Sequence, residues 1–431
     1  MKDEISICWL RRDLRLQDNA SLYHALKNSD KVLLLFIFDT TILNKLPSKE
    51  DKRVSFIHES LIDINQEIRK YDSSLCILHD NPLAAFEKLN EQFHIKAVYT
   101  NSDYEPYAIK RDKQIGEFAK ANNIVFNTYK DQVIFEKSEV MKKDGTPYTV
   151  FTPYAKVWKE QYTQGETKVY PSEKILTNLY KTNSFAIPSL TEIGFKAIPS
   201  GTSKPEIHRN LILHYQETRD IPAIEGTSRL GVHLRFGTIS IRHLVETAQQ
   251  LSETWLNEWI WREFFMMILY HFQEVEHHAF KRKYDAINWR NNEKEFKLWC
   301  KGETGYPLVD AGMRQLNETG WMHNRVRMVV ASFLTKHLLI DWRWGEAYFA
   351  EKLFDYELSS NNGNWQWAAG CGCDAAPYFR VFNPSLQAKK FDPDLIYIKR
   401  WIKNYHENYL APIVDHDFAR KRALSVYKAA L

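Results

Sequence analysis

Residues 361–370 read NNGNWQWAAG, which places two asparagines, a glycine and two tryptophans within seven positions. An indole N–H needs a partner when buried, and Asn and Gly favour turns and caps. In a helix Trp365 and Trp367 diverge by about 200° and serve different neighbours, with Asn361 and Asn362 ahead of the helix and able to reach a ligand. A strand would put both rings on one face; the AAG that follows argues against it. A second stretch, TWLNEWIWREFF, sets Trp255, Glu258, Trp259 and Arg262 at i, i+3, i+4 and i+7 on one helical face, with Trp261 flanking Glu258. The bland reading is an amphipathic core helix with a Glu258–Arg262 ion pair. The other is an aromatic wall with a carboxylate at its centre, suited to a flat ligand. In GWMHNRVRMVVASFL (320–334) Asn324 is a candidate N-cap. Arg325 and Arg327 point opposite ways, and Arg325 shares a side with Met328; solvated arginines and ligand-binding ones both fit. In EGTSRLGVHLRFGTIS (225–240) the Thr227 and Ser228 hydroxyls, with exposed amides near a helix start, suit a phosphate, although Ser and Thr caps are common.

The elements that must position these residues fall into two kinds. At 431 residues the chain is too long for one simple core. Its 44% hydrophobic and 26% charged content is ordinary for a globular protein. Through residue 130, strand-like runs at 5–10, 31–39, 74–80, 96–101 and 123–129 alternate with helical patterns, which predicts an α/β domain with a doubly wound parallel sheet. The usual Gly-rich phosphate turn after the first strand is missing; RRDLRLQDN stands there. Gly370-x-Gly372-x-x-Ala375 lies outside any βαβ context and is read as chance. Residues 131–205 carry six prolines and no long periodic segment, and are expected to form an irregular connector. From 206 to 431 helical patterns dominate: 206–218, 240–251, 253–271, 307–318, 324–340 and 344–354. Eleven of thirteen tryptophans lie after residue 250, so this all-α half is where aromatic chemistry is expected. No run of about eighteen apolar residues suggests a membrane span. MKDEISICWL is neither a signal nor a transit peptide, which argues for the cytoplasm. Five scattered cysteines fit reduced thiols, and Cys371-x-Cys373 alone is too little for a metal site. A net charge of +4 hints at a nucleic-acid partner without showing any clustering.

Taken together these stretches resemble the DNA photolyase/cryptochrome family over nearly the whole chain. WLRRDLRLQDN, VFTPYAKVWK (150–159), EGTSRLGVHLRFGTIS, WLNEWIWREFF, TGYPLVDAGMRQLNETGWMHNRVRMVVASFL and NNGNWQWAAG…DAAPYFRVFNP follow in the family's order. The resemblance implies an N-terminal α/β domain and a C-terminal helical domain holding FAD in a U shape. It implies light-driven electron transfer from reduced FADH⁻ to a pyrimidine dimer in UV-damaged DNA. Thr227, Ser228, Arg229, Leu230 and Gly231 resemble the diphosphate segment, and Tyr215, Trp255, Arg262 and Phe349 resemble further parts of the flavin pocket. Arg327 and Asp355 resemble the ion pair beside the isoalloxazine, with Glu357 nearby and Asn361 facing flavin N5. MHNRVRM resembles class I cyclobutane-dimer photolyases, where 6–4 photolyases and animal cryptochromes carry a histidine pair at the position of His323-Asn324. In that pattern Glu258 and Asn324 hydrogen-bond the damaged bases, Trp261 and Trp367 pack on them, and Arg325 and Met328 complete the pocket. Arg219 and Arg380 resemble phosphate contacts. Trp365, Trp342 and Trp289 resemble an electron relay, whereas Trp299 and Trp321 are read as packing.

Three positions depart from the family pattern. Gly231 stands where a serine usually helps to hold the diphosphate. Glu357 replaces an aspartate. Tyr107-Ala108 stand where folate-binding members carry Asn-Glu, which leaves a deazaflavin, a flavin or no second antenna chromophore open. The rival functions are a blue-light receptor without repair activity, a 6–4 photolyase and a passive DNA-binding module. The chain stops at Leu431, soon after the homology region, and receptors often carry a long tail. The expected protein is a monomeric repair enzyme, with no metal.

Overall fold

The computed structural model describes residues 2–165, 168–183, 185–403, 405–406 and 409–430, so Leu431, where the chain stops, lies outside the described residues. Five short, apolar, β-branched-rich runs form β1 (Glu4–Leu10), β2 (Val32–Asp39), β3 (Cys76–Asp80), β4 (His94–Asn101) and β5 (Val125–Tyr129). All pairs are parallel and the order is β3-β2-β1-β4-β5. Parallel neighbours need crossovers, and the helices Ala20–Asn28, Lys52–Ile68, Pro82–Gln92 and Pro106–Ala121 supply them. Central strands covered on both faces must be apolar throughout; every residue of β2 is buried. The expected doubly wound sheet is therefore present, with strand ends shifted by one or two residues.

The chain divides into two compact units. The first comprises Met1–Glu136, Glu160–Glu206 and Leu230–Thr247; the second comprises Lys137–Lys159, Ile207–Arg229 and Ala248–Leu431. Residues 160–205, the larger part of the connector expected over 131–205, thus group with the sheet, where Leu179 bridges Val32 and the Tyr180 N–H donates to the Val32 carbonyl at 2.8 Å. Within the stretch expected to be irregular lies a helix, Phe151–Gln164. Pro153 disguises it in the sequence, yet a first-turn proline removes an N–H that had no helical partner, and Tyr154, Ala155 and Trp158 bury one face.

The second unit is helical around a core that includes Trp299, Trp342, Phe333 and Trp365. Some expected helices are interrupted. The 206–218 pattern is two short helices, Arg209–Leu213 and Tyr215–Thr218, and the 324–340 pattern is an α-helix, Asn324–Ser332, running into a π-helical turn, Phe333–His337. In that turn the buried Lys336 Nζ donates to the Ala369 carbonyl at 2.8 Å, a tertiary bond that periodicity cannot foresee. No described helix is long and apolar enough to cross a membrane.

Candidate functional site

The opening stretch lies inside a helix, Leu358–Ala369, which ends at Gly370 in the left-handed conformation that glycine permits (φ 87°). Asn361 and Asn362 therefore sit within the helix and not ahead of it. Asn362 is structural, donating to the Val275 carbonyl at 2.9 Å. Trp365 and Trp367 diverge as helical spacing requires: Trp365 is buried, edge-on to Phe349 at 5.0 Å, and Trp367 is half-buried. Gly345 lets Trp365 in, since a Cβ there would lie 2.2 Å from its Cη2. The Asn361 amide donates to the Glu346 carbonyl at 3.0 Å and to Glu346 Oε1 at 2.8 Å. Both amide protons are thereby used, leaving the Asn361 Oδ1 to face elsewhere. Burial pushes the Glu346 carboxyl up to about 7, against the pull of the Asn361 hydrogen bond. Glu346 was not among the sequence candidates; it is fifteen residues from Asn361, a separation with no local signature.

The helix Glu253–His271 starts at a Ser252 cap whose hydroxyl accepts from the Trp255 N–H. Its expected internal ion pair is not made. Glu258 instead meets Arg219 at 2.5 Å, and Arg262 meets Glu357 at 3.2 Å. Tertiary partners displaced the i,i+4 pair because an exposed helical pair is worth only about 0.3–0.5 kcal/mol. Burial raises the Glu258 carboxyl, Arg219 pulls it down, and Asp220 adds to the rise; the net direction is upward. Its side chain still keeps 29% of its surface open. Trp261 stacks flat on Phe151 at 3.7 Å, so one indole face is already covered. Trp255 is fully buried, edge-on to Trp259 at 4.9 Å, and neither indole N–H has a partner.

The helix Asn324–Ser332 is capped by His323, whose Nδ1 accepts the Arg325 N–H at 3.2 Å; Asn324 is the first helical residue and not the cap. An imidazole accepting at Nδ1 must be neutral, and burial drives the His323 pKa down to about 4. Arg325 and Arg327 diverge and both find carboxylates. Arg325 pairs with Asp220 at 2.8 Å and covers Phe391, whereas Arg327 pairs with Asp355 at 3.0 Å. Neither is a freely solvated surface arginine.

One cavity gathers much of this set. Asn324, Arg327, Met328, Phe349, Asp355, Glu357, Asn361, Trp365 and Trp367 all line it, joined by Ser360 and Asn364. Residues from three helices thus converge on a space with an ion pair, an amide and two indoles. Glu258, Trp261, Arg219, Arg325, Tyr215, Trp255 and Arg262 lie outside that lining. So do Trp342, which is buried, Trp289, which is half-buried, and Arg380, which is exposed. Trp321 carries the Arg229 guanidinium 4.4 Å from its ring.

The 226–231 segment is shaped by close packing. A Cβ at Gly226 would meet the Thr218 carbonyl at 2.7 Å. Arg229 adopts a left-handed φ of 52°, and Gly231 begins the helix Gly231–Phe236, so first-turn N–H groups stand without helical partners. Arg229 itself pairs with Glu225 at 2.6 Å.

Comparison with known proteins places this geometry. Residues 6–173 match the family described as DNA photolyase, and residues 255–407 match the FAD binding domain of DNA photolyase. The deoxyribodipyrimidine photo-lyase of Alkalihalophilus pseudofirmus is 35% identical over 99% of this chain and 98% of its own length. That of Escherichia coli is 35% identical over 98% of each. A class III photolyase from Agrobacterium tumefaciens superposes with a TM-score of 0.86 at 31% identity, covering 100% of this chain and 98% of that one. An archaeal photolyase from Sulfolobus tokodaii, solved with two FAD molecules, gives 0.84 at 35% identity, covering 99% of this chain and 100% of that one.

The residues present fit FAD. A flavin ring offers polar edges between flat apolar faces. The Asn361 Oδ1 and the Arg327–Asp355 pair bring an acceptor and charge to the cavity, and the buried Trp255 and Trp259 N–H groups, outside its lining, are donors that the protein leaves without a partner. The left-handed turn at Arg229, followed by first-turn N–H groups without helical partners, suits a diphosphate.

Proposed function

The chain belongs to the DNA photolyase family, and from that premise we propose that it is a deoxyribodipyrimidine photo-lyase repairing cyclobutane pyrimidine dimers in UV-damaged DNA. The observation that carries this reading is the cavity in which Asn361 and Arg327–Asp355 stand beside Asn324, Met328 and Trp367. One set suits a flavin and the other two fused, flipped-out pyrimidines. FAD, bound as FADH⁻ beside Asn361 and the Arg327–Asp355 pair, would supply the light-driven one-electron chemistry that splits the dimer.

The chain supplies position and polarity. Thr227, Ser228, Arg229, Leu230 and Gly231 hold the diphosphate, with backbone amides replacing the hydroxyl missing at Gly231. Tyr215, Trp255, Arg262 and Phe349 wall the flavin. Glu357, ion-paired to Arg262, carries its carboxylate one methylene further than an aspartate would. Asn361 presents its Oδ1, held by Glu346. A dimer pairs poorly, so extruding it costs only a few kcal/mol, and stacking on Trp367 and the open face of Trp261 returns about 1–3 kcal/mol per base. Glu258 and Asn324 hydrogen-bond the damaged bases. The upward-shifted Glu258 takes a proton once it exchanges Arg219 for a thymine carbonyl, and as a neutral acid it donates to the oxygen where negative charge builds. Arg219, released by that exchange, and the exposed Arg380 reach phosphates, while Arg325 and Met328 close the pocket's side. Trp365, Trp342 and Trp289 relay electrons inward to keep the flavin reduced.

The MHNRVRM segment supports a class I reading. Tyr107-Ala108, together with the two FAD molecules of the Sulfolobus tokodaii relative, favour a flavin over a folate as second chromophore. Five free cysteines, four of them buried, suit a reducing cytoplasm, and the protein acts as a monomer. The test compares light with dark on oligonucleotides carrying either a cyclobutane dimer or a 6–4 lesion. Light-dependent loss of the cyclobutane dimer alone is expected; loss of only the 6–4 lesion, or of neither, refutes the assignment.

A further inference from the structure

Asp220 lies in the turn that follows the short helix Tyr215–Thr218, next to Arg219 in the chain. Its two carboxylate oxygens face two arginines: Oδ2 meets Arg325 Nη2 at 2.8 Å, and Oδ1 lies 4.0 Å from Arg219 Nε. Arg219 also gives Nη1 to Glu258 Oε1 at 2.5 Å. Glu258, Arg219, Asp220 and Arg325 thus form an alternating row of acid and base whose charges cancel. The titratable rings beside the row add no charge to it. Burial holds His323 neutral, with a pKa of about 4, and pushes the Tyr215 phenol up so that it stays protonated. The middle of the row is open to water: the Asp220 side chain keeps 38% of its surface exposed and the Arg219 side chain 26%. An anion from outside can reach Arg219, but only by displacing carboxylates that Arg219 already serves.

We propose that Asp220 sets selectivity by coupling phosphate capture to lesion entry, so that Arg219 is given up at low cost only to DNA that also offers Glu258 a new partner. The inference rests on the reading that Glu258 meets the damaged bases and Arg219 a phosphate. When a phosphate of undamaged DNA takes Arg219, Glu258 and Asp220 are left as two carboxylates sharing one cation, Arg325, and Glu258 has lost its ion-pair partner. Like charges this close oppose each other, and the group is left with a net negative charge beside a polyanion. When the DNA carries a dimer, Glu258 takes up one proton from solvent and donates it in a hydrogen bond to a thymine carbonyl. Asp220 and Arg325 then remain as a balanced pair, which keeps Arg325 fixed at the side of the pocket. Asp220 favours this second outcome: burial raises the Glu258 carboxyl most, Arg219 pulls it down, and the Asp220 charge adds to the rise. Its carboxylate therefore penalises phosphate capture without a lesion and spares phosphate capture with one. Asp220 acts through Arg219 and Arg325 and is a positioning residue.

The test is dark binding of the flavin-loaded protein to an undamaged duplex and to the same duplex carrying one cyclobutane dimer, read by fluorescence anisotropy over a range of salt. Asp220→Asn keeps the shape and removes the charge. It is expected to tighten binding of the undamaged duplex by about two- to fivefold, the worth of a half-exposed ion pair. Dimer binding gains less, so the preference for dimer DNA falls. For the undamaged duplex the slope of log K against log salt should steepen by about 0.9, because Arg325, freed from Asp220, neutralises one more phosphate. A merely structural defect would weaken binding without steepening that slope. In a Glu258→Gln background, where the second carboxylate is gone, Asp220→Asn is expected to change the preference far less. Asp220→Ser carries the same expectations and replaces the asparagine variant should that one fail to load flavin. The proposal is overturned if the preference or the salt slope stays at its wild-type value, or if the effect is undiminished in the Glu258→Gln background. If the wild-type protein itself shows no preference for dimer DNA, the lesion-pocket reading falls and takes this one with it.

Discussion

Replacing Glu346 with Gln should make the protein's stability less sensitive to alkali. Glu346 holds the Asn361 amide, and burial lifts its pKa from the ordinary 4.5 to about 7. The native protein therefore binds this proton more tightly than the unfolded chain does. The resulting stabilisation is fully present below the unfolded value and is lost as pH rises through the folded one. The gap between 4.5 and about 7 corresponds to about 3 kcal/mol. Because the side chain keeps some contact with water, about 2 kcal/mol is the figure to expect. Glutamine mimics the protonated acid at every pH and keeps an oxygen for the Asn361 amide. Urea denaturation of wild type and Glu346→Gln should give nearly equal stabilities near pH ~4.5. By pH ~8 the variant should lead by about 2 kcal/mol. An offset that does not change with pH, or a variant weaker throughout, would refute the claim that Glu346 is a desolvated acid tethering Asn361.

Three further outcomes are expected. Trp367→Ala should weaken dark binding of a dimer oligonucleotide by about 1–3 kcal/mol while flavin content stays constant; fluorescence anisotropy measures it, and unchanged affinity would remove Trp367 from the lesion wall. Gly345→Ala pushes a Cβ to 2.2 Å from Trp365 and should cost about 1–3 kcal/mol of stability, read by denaturation; a neutral result would mean that the indole has room to move. Glu258→Ala should lower repair yield per photon more than it lowers dimer affinity, and an unchanged yield would discard its role toward the thymine carbonyl.

Much of this was legible in the sequence because it was local. Alternating strand and helix patterns foretold the parallel sheet, and two-residue spacing foretold that Trp365 and Trp367 diverge. What stayed hidden depends on tertiary partners. Pairing Glu258 with Arg219, and Arg262 with Glu357, overrides an attractive i,i+4 match. His323 takes the cap because its neutral ring is buried against the helix start, which a preference scale led by Asn cannot foresee. Pro153 concealed a helix by sitting where proline is tolerated. Glu346 gave no signal at all: it contacts Asn361 across two helices.

The central claim is that light, acting through a flavin behind this cavity, splits fused thymines. Its most direct measurement is a chromatographic count of intact cyclobutane dimers in DNA mixed with flavin-loaded protein, before and after illumination, beside a dark control. The account predicts that dimers disappear only in the light. Dimers that persist under illumination, with the protein demonstrably yellow and bound to the DNA, would contradict it.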